Sequence, residues 1–295
     1  MTLGAVIVLY NPDKSETQKV VEAIQRQVKV LCLVDNSIDN HQKWFEEIPH
    51  ITYIHIGKNI GIAAAQNVGI KNLSKNGCDM VILCDQDSMP TKDTIAKLVS
   101  ALTALQAKDC KIGAVGTKAI NQATGKPYPQ KSKVIRSIKG TDINSNLDVT
   151  ECYSLRSSIS LIPLKNFENV GYFDESLFID GVDHEWCWRA WHRAGLRSFM
   201  VNQALIYHKL GEGDRKILKK DISIASPFRI YYQFRNYIWL CRRDYTPFYW
   251  KKKHFFKYAI KMVYFPIFVS PRKEYTKRIL QGIRDGLFVN NKIEL

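Results

Sequence analysis

The chain has 295 residues, of which 45% are hydrophobic and 24% charged, ordinary values for a globular protein with a sizeable core. Its seven cysteines are odd in number and show no C-x-x-C spacing, which excludes a disulfide framework and a structural zinc site and fits a reducing compartment. The net charge of +15 is not ordinary, and it directs attention to anionic partners: nucleic acid, a membrane surface or phosphorylated substrates.

The chain opens on a buried-strand pattern at residues 4–9, stopped by Asn11-Pro12. No basic run precedes it, so a signal peptide is not expected. Residues 15–27 read as a helix with Val20, Val21, Ile24 and Val28 on one face. Residues 30–34 are a second strand, stopped by Asp35-Asn36-Ser37, and residues 51–56 a third. A helix is expected from Gly61 to Leu73, a strand over 79–84 ending at Asp85, a helix from Thr91 to Ala107 and a strand over 112–116. Repeated β-α-β units predict a mostly parallel sheet flanked by helices.

Residues 117–150 are rich in Gly, Pro and polar residues and read as irregular. An apolar pattern resumes at 152–162, a helix is expected over 183–194 with Gly195 ending it, and a short strand pair near 198–208. Beyond about 225 the composition turns basic and aromatic. Residues 241–295 carry 13 Lys or Arg against 4 Asp or Glu and so supply +9 of the +15. The most apolar late run, Met262 to Ser270, is far short of the ~20 residues that span a bilayer.

In open α/β sheets, ligands bind beyond the carboxyl ends of the strands. Three such ends here are polar: Tyr10-Asn11, Asp35-Asn36 and Asp85-Gln86-Asp87. A carboxylate at the second can accept hydrogen bonds from a nucleoside. Two carboxylates at the third repel unless a cation joins them. Their hard oxygens suit Mg²⁺ or Mn²⁺, and either ion can bridge a diphosphate. Asp-x-Asp is also common in solvated turns, so the rest of the chain must support the reading.

Ordered motifs supply that support: Val6 to Pro12, Val34 to Ser37, Asn59 to Gly69, Leu83 to Ser88, Phe178 to Arg189, His208 to Gly211 and Pro227 to Asn236. Together they resemble the family 2 glycosyltransferases of the GT-A fold, and within them a bacterial rhamnosyltransferase-like branch. The resemblance covers roughly residues 4–240. It implies a catalytic domain over 1–224, with a nucleotide-sugar half to about 116 and an acceptor half beyond it. Residues 225–295 then form a helical, basic aromatic extension.

Position by position, the resemblance implies that Leu9 and Tyr10 line the base pocket, with Asn11 beside them, and that Asp35 and Asn36 hold base or ribose. Asn59, Gly61 and Asn67 frame the donor. Asp85 and Gln86 serve the nucleoside, while Asp87, with Asp85 and His208, serves the metal. Asp183 matches the family's base. The family's first acid is replaced by Val182, which leaves Asp180 and Glu185 as rival acids. Trp186 either stacks on a sugar or packs in the core. Arg229 and Arg235 either pair with the diphosphate or with core carboxylates. Ser157-Ser158 stands where a Ser-Gly pair is usual. The Gln-x-x-Arg-Trp motif of processive synthases is absent.

The resemblance further implies an inverting, metal-dependent transfer of one sugar. The expected donor is dTDP-L-rhamnose, with UDP-galactose or UDP-N-acetylglucosamine as alternatives. The expected acceptor is a polyprenyl-diphosphate-linked glycan for a surface polysaccharide (O-antigen, capsule or rhamnan). Lys251 to Tyr258 reads as an interfacial helix, predicting a cytoplasmic protein at the inner face of a bacterial plasma membrane. Two other readings compete. A nucleotidyltransferase would need a Gly-rich basic loop after the first strand, and Tyr10 to Lys14 is not one. A membrane-surface or nucleic-acid-binding module would need neither acid cluster, and no nucleic-acid motif is present.

Overall fold

The computed structural model describes residues 1–122, 124–129, 132–139, 147–208, 214–217 and 220–289. The first half is built as the hydrophobic periodicity predicts. Strand β1 (Leu3–Leu9) leads to helix α1 (Lys14–Gln25), whose Asp13 cap accepts from the Glu16 backbone N–H, and then to β2 (Val30–Asp35). After β3 (Ile51–His55) comes α2 (Ile62–Lys75) and then β4 (Met80–Asp85). A short β5 (Ser88–Pro90) precedes α3 (Thr94–Gln106) and β6 (Ile112–Asn121).

The region expected to be irregular instead contains two strands, β7 (Val134–Lys139) and β8 (Asp148–Cys152). Strand β7 had no hydrophobic alternation to reveal it, because it is an exposed edge strand, whereas β8 is buried beside it. Residues 140–146 of this stretch lie outside the described residues. Next come β9 (Ser160–Pro163), α4 (Lys165–Val170) and α5 (Val182–Ala194). The strand pair expected near 198–208 is one long strand, β10 (Arg197–His208), with a register shift between Met200 and Leu205. A small hairpin, β11 (Asp214–Ile217) and β12 (Lys220–Ser223), stands apart from the main sheet. The C-terminal region forms α6 (Pro227–Arg242), α7 (Phe248–Phe268) and α8 (Arg272–Phe288).

The main sheet runs β3-β2-β1-β4-β9-β6-β10-β8-β7, with β5 paired to β10. From β3 to β4 every pairing is parallel, as βαβ crossovers require. Beyond β4 the sheet is mixed, because β9 inserts antiparallel between β4 and β6. This is a GT-A type sheet flanked by helices, with a helical C-terminal region.

Two apolar layers cover its faces. One joins Val6, Val34 and Leu83 to Trp186 and Trp188, and also takes in Trp239, Leu240 and Trp250 of the C-terminal helices. The other joins Ile7, Leu9 and Ile82 to α1 and α3. Burying side chains of this size contributes roughly 1.5–3 kcal/mol each. A third cluster, with Ile230, Phe234 and Phe265, ties α6 to α7 and α8. The C-terminal helices are therefore packed on the sheet's own core.

Candidate active site

A cavity of about 860 Å³ opens at the carboxyl ends of β1, β2 and β4. One wall is a set of short polar loops. Gln86 clasps the Tyr10 backbone at two points, accepting from its N–H at 2.8 Å and donating to its carbonyl at 3.2 Å. Asn36 donates to Asn59 Oδ1 at 3.0 Å and accepts from the Ile60 N–H at 2.8 Å. Gly61 has φ +86°, and a Cβ there would stand 2.7 Å from the Phe178 carbonyl oxygen, so glycine is required. Tyr10, Asn36, Asn59, Gly61, Asp85, Gln86 and Asp87 all line this cavity.

Other expected donor residues sit elsewhere. Leu9 is fully buried among the core side chains, and its neighbours Val8 and Tyr10 face the cavity instead. Strand alternation explains the exchange: adjacent residues point to opposite faces. Asp35 is also fully buried. Its carboxylate accepts from the Ser37 N–H at 3.0 Å, from His41 at 2.7 Å and from the Tyr53 hydroxyl. Burial raises its proton affinity, but the hydrogen bonds from Tyr53, Ser37 and His41 outweigh that and hold the carboxyl below its usual range. Asp35 thus orders the 36–41 turn, and Asn36 is the residue at the cavity.

Asn11 is exposed, with its N–H on Ser37 Oγ at 2.8 Å, and lies off the cavity. Asn67 is buried and holds Phe173 by both its N–H and its carbonyl (3.0 and 2.9 Å), anchoring the chain ahead of α5.

Another wall comes from the loop before α5 and from α5 to α7. Asp180, Gly181, Asp183 and His184 line it. Asp183 sits in the first turn of α5, with Oδ1 accepting from the His184 N–H at 2.8 Å. Asp180, at φ +64°, accepts a two-point fork from Arg229. Asp85 accepts from the Ser158 hydroxyl, which ties the end of β4 to the turn that leads into β9. The N-termini of α2, α5 and α6 all border the cavity. Helix N-termini carry partial positive charge and favour an anion such as a diphosphate.

Glu185, Trp186 and Arg235 are corrected by the structure. Glu185 is fully buried, paired with Arg189 at 2.7 Å and Arg243 at 3.2 Å, and accepts from Tyr245 at 2.7 Å. Two residues along a helix are about 200° apart around its axis, so Glu185 faces away from Asp183. Trp186 is buried against Phe167 and Phe173, with its indole N–H on the Gly171 carbonyl at 2.9 Å. It is a core residue. Arg235 donates to the Ser176 carbonyl at 2.6 Å and stacks on Trp239. With Asn236, which donates to the Leu177, Ile179 and Asp180 carbonyls, it fixes the 176–180 loop rather than facing a ligand.

Sequence reading did not anticipate Phe178, Gln233, Tyr237, His254 and Tyr258 as cavity lining. Phe178 and Gln233 lie within the 178–189 and 227–236 motifs, and His254 and Tyr258 within the basic aromatic run 251–258, but no local signal marked the face each presents.

Among the described residues no three His, Cys, Asp or Glu side chains gather as a metal site. Asp85 and Asp87 remain as two carboxylates at one cavity lip. His208 ends β10, and its backbone pairs with Ser88, the neighbour of Asp87; its side chain lies outside the described residues. Two carboxylates completed by substrate phosphate oxygens and water fit the way Mg²⁺ is commonly held.

Comparison with known proteins fits this geometry. The family model for Glycosyl transferase family 2 matches residues 5–159, just over half of the chain. The chain belongs to glycosyl transferase family 2. This family 2 member is 29% identical over 293 residues to the dTDP-rhamnosyl transferase RfbF of Shigella flexneri, a match covering 96% of this chain and 94% of that one. Among solved structures, S. aureus TarS superposes with a TM-score of 0.60 at 14% identity, over 96% of this chain and 49% of TarS. GalNAc-T7 with UDP, GalNAc and Mn²⁺ gives 0.56 at 15% identity, over 95% of this chain and 55% of that one. The family 2 chain therefore spans about half the length of those two structures. A shorter TarS piece, 1–349 with UDP-GlcNAc, gives 0.59 at 15% identity with 81% of that chain covered. At these identities the superpositions show the fold. The family 2 chain is a glycosyltransferase.

Proposed function

We propose that this glycosyltransferase moves one L-rhamnose from dTDP-L-rhamnose to a hydroxyl of a lipid-linked oligosaccharide, inverting the anomeric carbon. One observation carries the reading: Asp85 and Asp87 at the end of β4, and Asp183 at the start of α5, line the same cavity. The similarity to a dTDP-rhamnosyl transferase over nearly the whole chain supports the sugar. Family membership supports inversion.

The nucleoside would lie along Tyr10, Asn36 and Asn59, with Asp85 at the ribose. The diphosphate would lie at the helix N-termini, near Arg229. Asp87, with Asp85, would hold a Mg²⁺ or Mn²⁺ ion, which when bound offsets charge on the departing diphosphate. Asp183 would accept the proton of the attacking acceptor hydroxyl. Asp180 is committed to Arg229 and Glu185 to the core, which leaves Asp183 as the acid at the cavity suited to this role.

Helix α7 supports a reading of the acceptor and the location. No helix among the described residues is long and apolar enough to cross a membrane. Yet Phe255, Phe256, Ile260, Val263 and Phe268 are each more than half exposed along α7, beside Lys252 and Lys253. The same helix lines the cavity through Trp250, His254 and Tyr258. An apolar ridge flanked by cations suits an anionic membrane surface at the cytoplasmic face, where a polyprenyl-diphosphate acceptor for surface polysaccharide is presented.

A donor screen tests this. Nucleoside diphosphate release is measured with dTDP-L-rhamnose, UDP-galactose and UDP-N-acetylglucosamine, with and without Mn²⁺ or Mg²⁺. Metal-dependent dTDP release is expected and should be lost in Asp87→Ala. Turnover of a UDP-sugar alone would replace rhamnose. No binding of any nucleotide sugar would overturn the reading.

A further inference from the structure

A second cavity, of about 490 Å³, adjoins the first. Arg156, Ser158 and His184 line both, so these three side chains form a shared wall. His184 follows Asp183, and Ser158 donates to Asp85. The second cavity therefore begins beside the reacting centre, on the side away from Tyr10, Asn36 and Asn59.

Its chemistry differs from that of the first. No carboxylate lines it among the described residues, whereas four Asp side chains line the first. Neutral hydrogen-bonding groups come instead from several segments: Thr117 on β6, Ser137 on β7, Thr150 on β8 and Asn202 on β10. Tyr128 stands between Pro127 and Pro129 on a segment pinned to the sheet, its N–H donating to the Ala119 carbonyl at 2.9 Å. The shared wall is itself a built polar network. His184 Nδ1 lies 2.7 Å from Ser154 Oγ, which lies 3.1 Å from Ser132 Oγ, and all three residues line the cavity. Thr117 donates to the Ser158 carbonyl, Thr150 to Asn202 and Asn202 to Asp148, which holds these groups in place, and Lys118 and Arg156 add donors. Hydroxyl, amide and cationic groups in one cavity with a tyrosine match a sugar, whose hydroxyls need partners and whose C–H face needs an apolar platform. Such a volume lies within the ordinary range for a small-ligand site.

We infer that the second cavity is a glycan subsite that holds the acceptor sugar next to the one being extended. This rests on the glycosyltransferase reading above and adds an acceptor requirement to it: at least two sugars, with the terminal hydroxyl at Asp183 and the preceding ring among Tyr128, Ser137 and Asn202. A single-sugar acceptor fills only the first cavity.

The test uses the full chain, the donor found in the screen, and two synthetic acceptors with the same terminal sugar on a short alkyl group. One carries the alkyl group directly; the other has one more sugar between. The wild type should show a KM about tenfold lower for the two-sugar acceptor, the equivalent of ~1.4 kcal/mol. Ser137→Trp, which fills the cavity from an exposed strand position, and Tyr128→Ala, which removes the platform, should each shrink that advantage to about twofold. Both should leave the one-sugar KM within about twofold. Equal KM values for the two acceptors in the wild type, or a parallel rise for both in the variants, would overturn the subsite. Saturation-transfer NMR with the two-sugar compound gives a readout that needs no turnover. Saturation should reach the inner ring in the wild type and vanish in Ser137→Trp, and its absence in the wild type would overturn the inference. Failure of the glycosyltransferase reading shows separately, as no nucleoside diphosphate release and no nucleotide-sugar binding.

Discussion

Arg229 grips both oxygens of Asp180, with Nε 2.8 Å from Oδ2 and Nη2 2.8 Å from Oδ1. The fork joins the first turn of α6 to the loop before α5, and both residues line the cavity. An arginine so placed can exchange a carboxylate for a diphosphate, since both accept the same planar fork. Arg229→Gln should raise the Kd for dTDP about tenfold, or ~1.4 kcal/mol. Its thermal stability should change little, because the guanidinium is half exposed and such pairs contribute at most about 1 kcal/mol. Asp180→Asn should act the other way and tighten dTDP binding, and asparagine tolerates the left-handed backbone at that position. Calorimetric titration with dTDP decides it. Wild-type affinity in both variants would remove Arg229 from the donor site.

Asp183→Asn should lower kcat by a factor of about 10² or more while leaving dTDP affinity near the wild-type value. A general base acts on the acceptor hydroxyl, not on the donor. Steady-state kinetics beside the same titration separates the two quantities. Near-wild-type turnover would exclude Asp183 as the base.

Glu185 carries a structural expectation. Its carboxylate meets Arg189, Arg243 and Tyr245 in the interior. Removing one member of a buried ion network leaves unpaired charge, at a cost of about 3–5 kcal/mol. Glu185→Ala should therefore lose soluble, folded protein, whereas Asp183→Asn should not. Urea unfolding followed by fluorescence distinguishes them. A stable but inactive Glu185→Ala would return Glu185 to the catalytic candidates.

His254 gives a pH dependence. Burial, with Lys257 adding to it, pushes the ring down to about 3, despite the Trp250 carbonyl 3.0 Å from Nδ1. The folded value lies below the unfolded value of ~6.5, so the unfolded chain binds the proton first. The stability associated with a neutral His254 is complete above that unfolded value and is lost as pH falls from there toward about 3. Urea midpoints measured from pH 7.5 down to 4.5 should fall in the wild type and fall less in His254→Phe. Parallel curves would show that His254 titrates normally.

The exposed ridge on α7 predicts recovery of the protein with floated vesicles containing anionic phosphatidylglycerol. Binding should weaken with salt and drop several-fold in the double variant Phe256→Ser, Ile260→Ser. Wild-type protein left in the unbound fraction, whatever the salt, would count against membrane contact.

Much of the fold was legible because the signals were local. The apolar run of β1 and the heptad-like face of α1 needed no tertiary information. The strand-end motifs located Tyr10, Asn36, Asn59, Asp85 and Asp87 at one cavity because the ends of parallel strands share one edge of the sheet. What failed was orientation. Leu9 and Val8 exchange faces with a single step along the strand. Glu185 stands beside Asp183 in sequence but on another side of the helix. Asp35 looked like a ligand residue because it ends a strand, but Ser37, His41 and Tyr53 claim its oxygens, and Tyr53 lies on a different strand. Strand β7 was missed because an exposed edge need not alternate, and the cavity lining from α6 and α7 because nothing local relates residue 254 to residue 85.

The placement of α6 and α7 has a consequence for how such a chain can vary. The family match covers residues 5–159, the stretch that supplies the strand-end carboxylates. Phe228, Tyr237, His254 and Tyr258 come from beyond it, yet they close the same chamber. One cavity is thus assembled from both stretches of chain, and Trp239, Leu240 and Trp250 of the later stretch pack in the same cluster as Leu83 on the strand that ends at Asp85. The helix that would rest on lipid is also a wall of the reaction chamber, so a truncation meant to make a more soluble enzyme would open that chamber to water.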